Sequence, residues 1–348
     1  MRTALKLLTA GTTAVAALAF SATAFAAYTS PTIRVDNPSE RIAGAASPVT
    51  INLTTAREDD PTARIAVYIP QGYTGNLVPA AGTQIGTVRA RAQSLPSPDI
   101  VVPLEGVLRA DAPANYVGPA TQCLGPAPNF QSVWLIVLNS PTGGAPIVVP
   151  TYLTTPLSGT EGSVGQARLI ICLPPPAAGT LNAKVFEARL TLTNLLTNPT
   201  AAGSYRWVAR FTPYVGNAGP SNPADTVEAQ AIDTIPVRAS IRGGKYTKRT
   251  KRLAVSGTVL EGGEPLRVLV NVFLNGRRVA RVRSNASGVY RTSLRIRRKG
   301  RYTLRATVTS GARTVQGCTA VLAPPLPCTR TVVSGFSVTS STVRVRIR

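Results

Sequence analysis

The chain contains no histidine. That absence removes the serine–histidine–aspartate triad, the cysteine–histidine pair and every histidine-containing metal site together. Acidic residues are scarce as well. Only 15 Asp and Glu stand against 38 Lys and Arg in 348 residues, a formal net charge of +23. Carboxylates are thus left as the main route to general acid–base chemistry, with few groups to carry it. Aromatic residues make up 5% of the chain, so platforms for stacking a sugar or a base are few. Neither a G-x-S-x-G nucleophile elbow nor a Walker loop occurs. Beyond the amino terminus no long apolar run occurs, and no transmembrane segment is expected.

The amino terminus itself carries an export pattern. Arg2 and Lys6 form a positive start, an apolar stretch runs from Leu7 to Phe20, and Ala24-Phe25-Ala26 supplies small residues at a peptidase site. Residues 1–26 therefore read as a signal peptide cleaved after Ala26. No cysteine follows the apolar run, which argues against a lipid-anchored lipoprotein. The last residues, from Thr342 to Arg348, alternate like a strand rather than an anchor. The expected location is secreted: extracellular, or associated with the cell surface. Four cysteines in an exported chain favour two disulfides over metal ligation. Of the three possible pairings, Cys123 with Cys172 and Cys318 with Cys328 is preferred, since each bond then closes within one module.

Charge divides the chain in two. Residues 28–238 hold 13 basic and 13 acidic residues, whereas residues 239–348 hold 23 basic and 2 acidic ones. So sharp an asymmetry suggests two modules with different tasks. Arg242-Gly-Gly-Lys245 reads as the hinge between them. In the first module, short apolar runs at Val49–Leu53, Arg64–Ile69, Val133–Leu138, Ile147–Val149, Ala167–Leu173, Lys184–Leu195 and Ser204–Thr212 are parted by Pro, Gly and Asn clusters. This pattern predicts a β-sandwich. Val133–Leu138 is almost unbroken in apolar residues, which suggests a strand covered on both faces. In the second module Val268, Val270, Val272 and Leu274 alternate up to Asn275-Gly276, a two-residue hairpin turn. Tyr290, Thr292, Leu294 and Ile296 then form one face of a strand, and Tyr302, Leu304, Ala306 and Val308 one face of the next.

Asn285-Ala-Ser-Gly-Val-Tyr290, Leu294, Gly300-Arg-Tyr-Thr-Leu304 and Val308, with the opening Leu253-Ala-Val-Ser-Gly-Thr-Val259, resemble the recurring core of bacterial Ig-like and carboxypeptidase-regulatory-like (transthyretin-like) modules. The resemblance covers residues 251–309. It implies a small β-sandwich of the sort appended to exported bacterial proteins, where such modules serve as spacers, adhesives or carbohydrate-binding units. The arginine load and the segment after Cys318 depart from that pattern. The first module carries no comparable resemblance. The expected fold class is therefore all-β, two Ig-like β-sandwich modules in tandem, with 28–238 neutral and 239–348 strongly basic.

The leading functional candidate is an arginine face. If the strands Tyr290–Arg297 and Arg301–Val308 pair as a hairpin, Arg291, Arg295, Arg297, Arg301 and Arg305 stand on one solvent surface. Arg344, Arg346 and Arg348 would add a second row. Such a surface attracts anions at long range. The partner implied is an anionic cell-envelope polymer or polysaccharide; the plainer alternative is a charged exterior that keeps the sandwich soluble and its edges unpaired. Specific nucleic-acid recognition is not expected, because Tyr290 and Tyr302 fall on the core face and cannot stack on bases. Glu58-Asp59-Asp60 is the one acidic cluster, a candidate Ca²⁺ site or a solvated turn before Pro61. No other cofactor is implied. Trp134 and the period-two pair Tyr205 and Trp207 read as core. The sequence thus points to a non-enzymatic exported protein whose basic module docks to an anionic envelope polymer while the first module is displayed or binds a partner. Its rivals are a secreted carboxylate-dependent polysaccharide hydrolase and a purely structural spacer or surface-layer component.

Overall fold

The computed structural model describes residues 28–37, 41–141, 143, 145–176, 182–216, 219–318 and 326–348. The signal peptide expected over residues 1–26 lies outside these residues. The described chain is all-β, with 23 strands and two short α-helices. No helix among the described residues is long and apolar enough to cross a membrane.

The first unit is built from β1 (Thr32–Asp36), β2 (Val49–Thr54), β3 (Thr62–Ile69), β4 (Gln84–Ser94), β5 (Val101–Asp111), β6 (Ser132–Asn139), β7 (Ile147–Thr154), β8 (Ala167–Cys172), β9 (Ala183–Leu192), β10 (Gly203–Pro213) and β11 (Val227–Ile235). Two-sheet packing was the expectation here. Instead a single sheet runs in the order β1-β2-β9-β4-β5-β6-β7-β8-β3-β10-β11 and continues into two later strands. The sheet rolls over so that β1 packs on β10 and β11. Its inner surface encloses the main core, with Trp134, Trp207, Phe211, Ile33 and Leu108 fully buried. Rolling removes most of the open edge that a long flat sheet would leave. The strand Ser132–Asn139 is covered on both faces, as its unbroken apolar run suggests. Trp134 and Ile136 face the main core, while Val133 and Leu135 pack under α1 (Val117–Leu124) with Ala120 and Tyr152.

The second unit comprises β12 (Val237–Ala239), β13 (Arg242–Thr247), β14 (Arg252–Glu261), β15 (Glu264–Pro265), β16 (Leu269–Leu274), β17 (Arg277–Arg283), β18 (Val289–Arg295) and β19 (Gly300–Ser310), joined near the end of the chain by β22 (Phe336–Thr339) and β23 (Val343–Ile347). These ten strands form two five-stranded sheets. One carries β12, β13, β14, β15 and β18; the other carries β16, β17, β19, β22 and β23. Leu253, Val255, Val272, Tyr290, Leu294, Leu304 and Val308 fill the space between them. The Asn275-Gly276 turn forms as the sequence requires, with φ of 47° and 81°.

Three further expectations are corrected. Arg242-Gly-Gly-Lys245 is no hinge but part of β13. A Cβ on Gly243 would sit 2.6 Å from Val345 Cγ2 of the opposite sheet, so glycine serves close packing there, not flexibility. Residues 239–348 do not form one uninterrupted module. β20 (Arg313–Gln316) and β21 (Cys328–Val333) leave the second unit, and β21 pairs in parallel with β11 to extend the first unit's sheet to thirteen strands. β11 is buried nearly throughout, and β21 gives its backbone groups the partners they would otherwise lack. The third correction concerns the strands Val289–Arg295 and Gly300–Ser310. They do not pair with each other. β18 pairs with β14, and β19 pairs with β16, β22 and β23. The link between them is an arch crossing from one sheet to the other, with Ile296 buried inside its bend. An arch and a hairpin both satisfy the same period-two alternation, so the pattern alone does not separate them.

Both expected disulfides are present. Cys123–Cys172 ties α1 to the end of β8, with Cα atoms 6.1 Å apart. Cys318–Cys328 spans the connection between β20 and β21 and so belongs to the first unit's sheet.

Candidate functional site

The arch decides where the arginines go. It splits the single face expected from a hairpin into two outer faces on opposite sheets. Arg291 and Arg295 lie on the outer side of β18. Arg301 and Arg305 lie on the outer side of β19, with Arg344 and Arg346 beside them on β23. Arg297 is exposed within the arch, and Arg348 is exposed just past β23. The row at the carboxy terminus is thus no separate row: it joins the face of Arg301 and Arg305.

The richer face is the β17-β16-β19-β23 side. Register sets Arg301 opposite Arg346 and Thr303 opposite Arg344. Across β16, Phe273 stands between Arg278 and Arg305, and Asn271 between Arg281 and Thr307. Arg278 and Arg281, which alternation within β17 alone does not single out, join this face through their place opposite the outward residues of β16. One strand repeats its outward side chains about every 6.8 Å, and neighbouring strands lie about 4.8 Å apart. The guanidinium groups therefore stand on a lattice with threonine hydroxyls from Thr303, Thr307 and Thr339 set between them. A shallow depression of about 400 Å³, lined by Phe273, Gly276, Thr303, Arg305, Thr307 and Thr342, opens on this face. Arg305 donates to Thr342 Oγ1 at 3.3 Å at its rim.

No acidic residue offsets this charge. Beyond residue 239 the acidic residues are Glu261 and Glu264, both at the β14–β15 turn. Among the described residues, no ion pair engages a basic residue of the second unit. Like charges placed directly across neighbouring strands repel. Replacing Arg346 with glutamate turns the Arg301 pairing attractive. It is expected to raise the thermal midpoint by roughly 1–2 °C at low salt and to lose that gain at 1 M salt, where the Debye length falls to about 3 Å. A scanning calorimeter reads both values, and a lower midpoint at low salt would count against a repulsive face.

The three side chains of the acidic cluster do not converge. Asp59 is buried, its Oδ1 accepting from the Thr29 amide and hydroxyl at 2.8 Å each and its Oδ2 from the Ala56 amide at 2.8 Å. Glu58 is exposed and Asp60 half-buried. Among the described residues no three His, Cys, Asp or Glu side chains come together to hold a metal. Asp59 instead fastens Thr29, while its carbonyl accepts from Lys184 Nζ at 2.7 Å.

Among the described residues of the first unit, the aromatic side chains that the sequence singles out pack inward. Trp134 and Trp207 are fully buried, and Tyr205 packs edge-on against Tyr73. Inside the rolled sheet lies an apolar cavity of about 50 Å³ among Val88, Leu104, Ile136, Val149, Ile171 and Phe211. The two carboxylates Glu161 and Glu228 sit on the outer side of the sheet. They are bridged: Tyr68 donates to Glu161 at 3.0 Å, and Arg210 reaches Tyr68 Oη at 3.1 Å and Glu228 at 3.2 Å. Burial pushes the Tyr68 hydroxyl above its ordinary pKa, against the pull of Arg210. Arg168 engages Glu161 as well.

No family model matches the chain, and no curated protein matches it. Among solved structures, one from a study titled "Structural insight into host cell surface retention of a 1.5-MDa bacterial ice-binding adhesin" is 11% identical. It covers 89% of this chain and 97% of that one, with a TM-score of 0.17. A likeness at that score carries no argument for fold or function.

Proposed function

We propose that this protein is an exported, non-enzymatic component of the cell envelope or extracellular space, and that its second unit docks to an anionic polymer through its arginine faces. The carrying observation is the β17-β16-β19-β23 face, where arginines and threonines share a lattice that, among the described residues, holds no carboxylate on its strands and no ion pair. A guanidinium pairs with phosphate or carboxylate in a planar, bidentate way that a lysine cannot reproduce. The interleaved hydroxyls suit a polymer that carries its own hydroxyls, such as a polyol phosphate or an acidic polysaccharide. The two disulfides are compatible with an oxidising, extracellular setting. The first unit is displayed by this attachment or binds a further partner. The hydrolase alternative calls for free carboxylates across a cleft. Glu161 and Glu228 are instead occupied by Tyr68, Arg168 and Arg210.

The test uses the full mature chain, because a fragment starting at Ala239 would cut β12 and strip β21 of its partner β11. Binding to a purified polyol-phosphate wall polymer is followed across a salt series. Four to five anion contacts predict an affinity loss on the order of 100-fold between 50 and 200 mM salt, by analogy with single-stranded polyanions. Absent or salt-insensitive binding would leave the spacer reading in its place.

A further inference from the structure

The second unit has two outer faces, and both are basic. On the β14 sheet, Arg242 and Arg291 flank Ser256 from either side, while Arg295 stands opposite Arg252. These four arginines are exposed. The β19 sheet presents Arg278, Arg281, Arg301, Arg305, Arg344 and Arg346 on the opposite side of the core. The two acidic residues, Glu261 and Glu264, sit at one end of β14 and lie on neither lattice. Packed sheets stand about 10 Å apart. With side chains projecting outward from each, the two sets of guanidinium groups are separated by more than the ~8 Å Debye length at physiological salt. Each face therefore presents its own lattice to anions, the two meeting only at the end where the arch exposes Arg297, Arg298 and Lys299. A single extended polymer strand lying along one face does not reach the other.

From this arrangement we infer that each molecule bridges two anionic polymer chains and cross-links them. This inference rests on the docking reading above and adds valency to it. A surface that merely kept the unit soluble would need no lattice free of counter-charge on both sides. An attachment site alone would need only one.

The test uses the full mature chain at a concentration where sedimentation shows it monomeric, with long-chain polyphosphate as the probe. Two quadruple variants separate the faces: Arg301→Gln, Arg305→Gln, Arg344→Gln and Arg346→Gln in one, and Arg242→Gln, Arg252→Gln, Arg291→Gln and Arg295→Gln in the other. All eight side chains are exposed, and circular dichroism checks that each variant folds. The native protein should raise light scattering steeply at intermediate protein-to-polymer ratios and less at either excess. Each variant should still bind, weakened by about tenfold with a smaller salt slope, yet raise no scattering. Bridging is overturned if either variant scatters like the native chain, or if the native chain binds without scattering. No binding at all by the native chain at 50 mM salt overturns the docking reading itself.

Discussion

Replacing Arg41 with methionine is expected to destabilise the fold by about 3–5 kcal/mol, the usual consequence of removing one member of a buried ion pair. Arg41 and Asp233 are 1% and 0% exposed, with Nε and Oδ1 3.1 Å apart. Tyr73 donates its hydroxyl to the other carboxylate oxygen at 2.9 Å. The same guanidinium reaches the carbonyls of Thr234 and Gly335, lies 4.0 Å from Glu261 and stacks 5.7 Å from the Phe336 ring. One side chain thus joins the first unit's sheet to two strand ends of the second. Burial pushes the Asp233 carboxyl above its ordinary pKa, and Arg41 pulls it back. Without Arg41 the folded-state value rises further above the unfolded one, near 4. The folded variant then takes up a proton that the unfolded chain does not, so its deficit narrows as pH falls from neutral toward about 4. Urea titrations at pH 7 and pH 4.5 measure this. A loss under about 1 kcal/mol at pH 7, or equal losses at the two pH values, would refute it. Adding Asp233→Asn to the variant should recover most of the loss at pH 7.

Removing the first disulfide should cost about as much. The double substitution Cys123→Ala and Cys172→Ala opens a loop of 49 residues, which the chain-entropy relation sets at about 4 kcal/mol. The structural consequence falls on α1. That helix has eight residues and no side-chain cap, and a helix so short does not persist unaided in water. It is held by the disulfide and by Ala120 under Val133, Leu135 and Tyr152. Amide exchange along α1 should therefore accelerate far more than exchange along β6. Uniform acceleration, or a midpoint shift worth less than 1 kcal/mol, would show that the packing holds the helix without the bond.

The sequence made some of this plain and hid the rest for identifiable reasons. Asn275-Gly276 named its own turn because both residues accept positive φ. The continuous run at Val133–Leu138 announced a doubly covered strand, and the cysteines could be paired by keeping each bond within one half of the chain, although Cys318–Cys328 proves to belong to the first unit's sheet. β4 and β5 passed unseen. β4 builds much of its buried side from Ala90 and Ala92, small residues with a weak signal, and β5 contains Pro103 and Gly106. The arginine residues were found, but not their division. Alternation reports which side of a strand faces the core, not which sheet the strand joins. The insertion of β21 beside β11 is parallel and joins residues roughly a hundred positions apart, a pairing that no local pattern marks. Asp59 looked like a ligand because adjacent carboxylates do; its hydrogen bonds to Thr29 and Ala56 exist only in the folded chain.

The return of β21 to the first unit also bears on how the molecule would carry tension. The backbone passes between the two units three times, after β11, before β20 and after β21. Under the proposed docking, a pull on polymer held by the second unit would be shared among three covalent paths instead of one linker. Parallel β11–β21 pairing and the Arg41 contacts lie along those paths, and the Cys318–Cys328 bond ties β20 to β21 at their far ends. The unit bearing the arginines is fastened like a bracket, not strung like a bead.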